Sequence, residues 1–240
     1  MSLLRDANQR YLTLMSPAIR LIHRALHDMS KHHFNGHQFE TCVDIGGGAS
    51  RYRDHFECKA FYSMDIASRP DTDVLGDIVA IPLRSDCVDL ILCTEVLEHI
   101  RDTAGALREM HRILQPGGHV VITVPMLFGE HDVLDFYRWT RMGLRTALEN
   151  VELEVVDVRS RGGYFSAMGG LISQLPAVFL PPPVSGWTAS NGAGDTLRLL
   201  LRTAINAPFQ MVGSVIGLAD GLDRKQEHTA GLVALARKPN

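Results

Sequence analysis

The chain has 240 residues, 45% of them hydrophobic and 21% charged, which fits one large domain or one domain with an elaborated insertion. A net charge of −3 supplies no basic field, which argues against a nucleic-acid binder. Arg5 and Asp6 stand where a signal peptide would need an apolar run, and the four cysteines (Cys42, Cys58, Cys87, Cys93) form no CxxC pair, so a cytoplasmic protein with reduced thiols is expected.

Ser16-Pro17 is a helix-start signal, and Ile19, Ile22, Leu26 and Met29 follow at helical spacing. A helix within an N-terminal segment, residues 1–39, is therefore expected outside the first strand. That strand is Thr41 to Ile45, running directly into Gly46-Gly47-Gly48. Ala60 to Asp65 reads as a second strand, Asp73 to Ile78 as a third, and Val88 to Cys93 as a fourth. The fourth is nearly all apolar, as a strand covered on both faces must be. Asp102 opens a helix with Ala106, Leu107, Met110 and Ile113 on one face, stopped by Gln115-Pro116-Gly117-Gly118. His119 to Val124 is a fifth strand, Thr140 to Asn150 a helix, Val151 to Val158 a sixth strand and Gly231 to Arg237 a seventh. Strands alternating with helices predict a doubly wound, Rossmann-like α/β sheet. Ligands of such sheets bind at the carboxyl ends of the strands.

Asp44-Ile45-Gly46-Gly47-Gly48-Ala49-Ser50 lies at such an end. Glycines there let the backbone turn sharply and approach a ligand closely. A dinucleotide loop would place a third glycine where Arg51 stands, and a P-loop would need Gly-Lys-Ser/Thr, which is absent. The loop thus suits a nucleoside ligand lacking a pyrophosphate, although glycine turns also serve purely structural ends. Asp65 ends the second strand roughly 20 residues on, where a carboxylate can take two ribose hydroxyls, or else cap a helix.

VDIGGGAS, SMDI, GDIVAIPLRSDCVDLILCTEVLEHI and LREMHRILQPGGHVVITVP, in that order, resemble the class I S-adenosylmethionine (SAM)-dependent methyltransferases of the type 11 kind. The resemblance covers about residues 40–160 and the last strand. It implies a seven-stranded sheet of order 3-2-1-4-5-7-6 with strand 7 antiparallel. It implies SAM as cofactor, with Asp44, Gly46, Gly47 and Gly48 around its methionine half. Asp65 would take the ribose, Ile66 and Ile78 would flank the adenine, and Asp77 would accept from its amino group. Cys93, Thr94 and Glu95 would lie near the sulfonium. The family often has glycine where Ser50 stands.

A sulfonium is already a good leaving group, so methyl transfer chiefly needs an aligned acceptor. A base is needed when the nucleophile must lose a proton. Glu98-His99 after strand four and Glu130-His131-Asp132 after strand five lie on the ligand side. His131 is the preferred catalytic base and His99 the second candidate, each with a plain structural alternative. Tyr137-Arg138-Trp139 serves either acceptor contact or helix entry. His27, His32, His33 and His37 match no zinc spacing, and no metal is expected.

Residues 161–228 interrupt the expected hairpin between strands six and seven. Tyr164 to Leu180 and Leu197 to Leu222 are apolar, the second broken by Pro208, with Pro181-Pro182-Pro183 and a Ser185 to Gly194 linker between. Neither gives the roughly 20 apolar residues of a transmembrane helix. This helical insertion is expected to pack or dimerise, to cap the acceptor, or to rest on a membrane at the inner face. The chain as a whole, 1–240, reads as a single domain. The function expected is methyl transfer to an O or N atom of a small molecule or of a glycan- or lipid-linked intermediate. A SAM-binding partner protein with little catalysis and an NAD-dependent oxidoreductase are the alternatives.

Overall fold

The structure is a computed structural model and describes residues 16–48, 52–130, 132–179, 193–223, 225 and 227–240. It divides into two compact units, one of Ile22–Arg161 with Gly231–Asn240, the other of the described parts of Met1–Leu21 and Gly162–Ala230.

The first unit is the sheet. Its seven strands are β1 (Gln38–Ile45), β2 (Glu57–Asp65), β3 (Val74–Leu75), β4 (Val88–Thr94), β5 (Leu114–Pro125), β6 (Glu154–Arg161) and β7 (Gly231–Arg237). They lie in the order β3-β2-β1-β4-β5-β7-β6, with β7 antiparallel to both β5 and β6 and the remaining pairs parallel. Both the order and the reversed strand are those the resemblance implied. Alternate residues of the central strands serve opposite cores. Val88, Ile91 and Cys93 of β4 join Val120 and Ile122 on one face, with Leu107, Met110 and Leu144 of the helices below. Leu90 and Leu92 join Val121, Val233 and Leu235 on the other, against Ile22, Leu26 and Met29 of α1 (Pro17–His33).

Helices α2 (Thr103–Ile113) and α3 (Arg141–Glu149) cover the first face. Each begins at a side-chain cap: Asp102 accepts from Gly105 N–H at 2.8 Å, and Thr140 from Gly143 N–H at 3.1 Å. Such caps satisfy donors the helix cannot, and each is worth about 1 kcal/mol.

Three differences from the sequence expectation have physical causes. Gln115-Pro116-Gly117-Gly118 is not a free turn. β5 already starts at Leu114, and Gly117 N–H donates to Lys238 O while Lys238 N–H returns to Gly118 O, both at 2.9 Å. β6 runs three residues later than expected, because Val151 and Leu153 are buried in the turn after α3, where Glu152 takes a φ of 63°. The third concerns the cysteines: reduced thiols were expected throughout, yet Cys42 on β1 and Cys58 on β2 are joined in a disulfide, their Cα atoms 6.2 Å apart. Sixteen residues of separation conceal a pair that parallel neighbouring strands bring together. Cys87 and Cys93 are free thiols.

In the second unit, α4 (Tyr164–Phe179) and α5 (Ala193–Gly217) pack closely, with Gly169 and Gly213 in backbone contact, so that a β-carbon on either would strike the other's carbonyl. Asp220 accepts from Gly163 and Ser166 N–H, and Asp223 from Tyr164 N–H, at 2.7–2.8 Å, so both cap the start of α4. Pro208, expected to break the apolar stretch, lies inside α5. Residues 181–183 and 185–192 of the proline run and linker lie outside the described residues. Among the described residues no helix is long and apolar enough to cross a membrane.

Candidate functional site

At the carboxyl end of β1 the chain leaves the sheet through Gly46 (φ 68°) and Gly48 (φ 55°), left-handed conformations that favour glycine. Gly46 N–H donates to Met64 O at 2.7 Å, binding the loop to β2. A β-carbon on Gly46 would lie 2.5 Å from Val96 Cγ2, so the loop touches the segment that leaves β4. Ala49, Ser50 and Arg51 lie outside the described residues.

Asp44 sits beneath this loop with no exposed surface, and neither carboxylate oxygen has a hydrogen-bond partner among the described residues. Burial, and then the charge of Asp65, push its carboxyl up to about 7. A buried carboxylate with no donor is costly, and a ligand cation or N–H group over the glycine backbone would relieve it. Asp65 ends β2, only 8% exposed. Its Oδ1 accepts from Ala67 N–H at 2.9 Å and its Oδ2 is 3.4 Å from Arg69 Nε. It is thus an Asx-turn residue whose carboxylate also stands at the strand end. Ile66 beside it is 73% exposed, an apolar side chain free to cover a ring. Asp77 accepts from Val79 N–H at 3.1 Å, and Ile78 is buried. These residues fit a nucleoside cofactor: a buried carboxylate under a glycine turn, a second carboxylate for a diol, and an apolar flank.

Of the last two residues of β4 and the one that follows, Cys93 is a core side chain, its thiol pushed far up by burial and then by Glu98, Asp44 and Glu95. Only its backbone is available to line a site. Thr94 is nearly buried. Glu95 takes a φ of 54° and forms a paired ion bridge with Arg161, at 2.7 and 3.0 Å. Arg161 escaped the sequence analysis, which ended β6 at Val158 and assigned this residue to the insertion; its place before Gly162-Gly163 gave no signal of a buried cation.

His99 lies in the short 3-10 turn Leu97–His99, where Nδ1 pairs with Leu134 O at 2.7 Å. It braces the loop after β5. Phe136 N–H donates to Glu98 O at 2.7 Å, and Tyr137 Oη to Arg101 O at 2.9 Å. Arg138 donates to the carbonyls of Phe128, Gly129 and Tyr137 and pairs with Asp135 through both carboxylate oxygens. Of the Tyr137-Arg138-Trp139 patch, Arg138 is therefore a loop staple, and Trp139 packs on the core. His131 lies outside the described residues. Glu98 is fully buried, neither carboxyl oxygen has a hydrogen-bond partner among the described residues, His99 Nε2 stands 3.8 Å from Oε1, and burial followed by Glu95 pushes its carboxyl up to about 8.

His33 of the histidine-rich segment pairs with Asp157 at 2.8 Å. Among the described residues no group of three or more His, Cys, Asp or Glu side chains is arranged to hold a metal ion.

Residues 43–122 match the family described as "Methyltransferase domain". The mitochondrial arginine-hydroxylase NDUFAF5 of Danio rerio is 29% identical over 129 residues, covering 48% of this chain and 37% of that protein. A demethylmenaquinone methyltransferase of Mycolicibacterium paratuberculosis is 38% identical over 56 residues, 23% of this chain and 24% of that one. The chain spans between 15 and 37% of the length of the curated relatives it matches. Among solved structures, the N-methyltransferase NodS of Bradyrhizobium japonicum, in complex with S-adenosyl-L-homocysteine, superposes with a TM-score of 0.51 over 94% of this chain and 89% of that one. At 15% identity that likeness shows the shared fold alone.

Proposed function

We propose that this chain, which carries a class I methyltransferase domain, is a SAM-dependent methyltransferase acting on an O or N atom of a small molecule or of a glycan- or lipid-linked intermediate. The observation that carries the reading is the buried Asp44, without a hydrogen-bond partner among the described residues, under a left-handed glycine loop, with Asp65 at the neighbouring strand end. SAM, when bound, supplies a methyl group on a sulfonium, a leaving group that needs no activation. The residues of the chain then have three tasks. Asp44 and the Gly46–Gly48 backbone hold the methionine half, and Asp65 holds the ribose with Ile66, Asp77 and Ile78 about the adenine. The loop after β5, stapled by Arg138 and braced by His99, gives the acceptor a firm wall, which favours in-line alignment. His131 is the base for an acceptor that must lose a proton.

Calorimetry with SAM, S-adenosylhomocysteine and NAD tests the cofactor. Binding of the first two and not the third is expected; binding of NAD alone would refute the reading. His131→Ala is expected to lower turnover with SAM affinity intact, and a fall in affinity with turnover retained would move His131 into the cofactor pocket.

A second reading, a SAM-binding partner or regulatory protein with little methyl transfer, is favoured by one finding: a relative matching half this chain is named a hydroxylase. Transfer from labelled SAM to cell extracts separates the two. The reading includes a cytoplasmic location with peripheral contact at the inner membrane face. Exposed Leu171, Leu175, Met211, Val212 and Val215 on α4 and α5 support such a contact, or a homodimer. The Cys42–Cys58 disulfide withdraws the support that four reduced thiols would have lent to that location.

A further inference from the structure

Three strands send side chains to one point at the carboxyl edge of the sheet. Glu95, the first residue after β4, holds a left-handed φ of 54°, a conformation that strains a residue with a β-carbon. Its N–H donates to Thr123 O, and the Thr123 hydroxyl donates to its Oε1, each at 3.0 Å. Arg161, the last residue of β6, is 1% exposed and donates to both carboxylate oxygens. A strained backbone and three donors are thus spent on fixing one carboxylate, which remains 26% exposed.

The surroundings are acidic. Glu98 and Asp44 are fully buried with no hydrogen bond to their carboxyl oxygens among the described residues, and both act together with Glu95 on the Cys93 thiol that lies among them. The charges acting on these two carboxyls are Asp65 from β2 on Asp44, and Glu95 after β4, Arg161 from β6 and Asp135 from the loop after β5 on Glu98. Asp135 is paired with Arg138, and His99 Nε2 stands 3.8 Å from Glu98. A β-carbon on Gly46 would strike Val96, so the glycine loop packs directly against the segment that leaves β4.

We infer that this carboxyl edge reads charge: it favours a cationic sulfonium over the neutral thioether of the same nucleoside, with Glu95 as the exposed sensor and Arg161 as the cation that holds it and offsets part of its charge. The inference rests on the cofactor reading above. It gives the two buried carboxyls, which lack hydrogen bonds among the described residues, a purpose, since they lower the potential where the sulfonium lies and hold less tightly once the charge is gone.

The test measures SAM and S-adenosylhomocysteine binding by calorimetry on the wild-type chain, Glu95→Gln and Arg161→Gln. Glu95→Gln is expected to shift the affinity ratio against SAM by about three- to tenfold, the size of one partly screened charge at close range. Arg161→Gln should shift the ratio the other way. Loss of packing would instead weaken both ligands together and move both variants alike, and that result overturns the inference. Because Arg161 is buried and its variant is at risk of misfolding, the wild-type chain carries a second readout. SAM binding at pH 7, compared in two buffers of different ionisation enthalpy, should release more protons than S-adenosylhomocysteine binding does, because a cation lowers the affinity of Asp44 and Glu98 for theirs. Equal proton release by the two ligands also overturns it. Failure of the wild-type chain to bind either ligand would overturn the cofactor reading itself.

Discussion

Replacing Asp65 with alanine should weaken SAM binding by about one to two orders of magnitude, the usual worth of one or two charge-assisted hydrogen bonds lost from a mostly buried site. The carboxylate is 8% exposed at the end of β2, on a strand held to β1 by a parallel register that reaches Ile45 and Met64. It is therefore placed before any ligand arrives, and no ordering cost is charged to binding. The change also removes the acceptor of Ala67 N–H, so some loss of local order is expected alongside. Asp65→Asn separates the two effects. It keeps an acceptor for Ala67 but lacks the charge and the second acceptor that a diol requires, so it should bind SAM with intermediate affinity at near wild-type melting temperature. Unchanged affinity in Asp65→Ala, measured by calorimetry, would leave Asp65 a turn residue and no more.

What the sequence made legible was whatever depends on neighbours in the chain. β4 and β7 were found close to their true bounds, because strands buried on both faces must be continuously apolar, and Leu90, Ile91, Leu92 and Cys93 have no exposed surface. Asp44, the glycines and Asp65 were legible because a tight turn and a strand end need those residue types in that order. The sheet order came from resemblance, since periodicity contains no information about which strands are adjacent. Pairing across long separations was hidden. Cys42 and Cys58, Glu95 and Arg161, and Gly117 with Lys238 each meet only once the sheet is assembled. The three-residue shift of β6 shows how a small error spreads. Ending the strand at Val158 put Arg161 into the insertion, and with it went the partner that explains Glu95. The same dependence on assembly hid Glu98, whose position after a strand marks it as ligand-side, while its complete burial follows from the loop that Arg138 and His99 fasten over it.

Asp44→Asn is expected to have opposite effects on stability and on binding. In the folded chain the carboxyl titrates near 7 against an ordinary 3.8, burial being the larger cause and Asp65 the smaller. Between those two values the native state holds more protons than the unfolded state, so stability falls as pH rises from about 4 to about 7 and is flat beyond. Glu98, raised from 4.5 to about 8, adds a loss of the same sign over a window reaching slightly higher. At pH 8 Asp44 carries nearly its full penalty and Glu98 most of its own, and at pH 5 most of both is absent. The amide of asparagine fills nearly the same volume without the charge. The ligand-free variant should therefore gain about 1–3 kcal/mol at pH 8, a rise of several degrees in melting temperature, and less than half of that at pH 5. SAM should meanwhile bind at least about tenfold more weakly, because the variant has lost the negative charge that a cationic ligand neutralises. Melting curves at the two pH values, with and without SAM, measure both effects. A variant destabilised equally at pH 5 and pH 8 would mean that the native carboxylate is satisfied within the fold. Asp44 would then be a structural residue, and the conclusion that its buried charge awaits a ligand would fail.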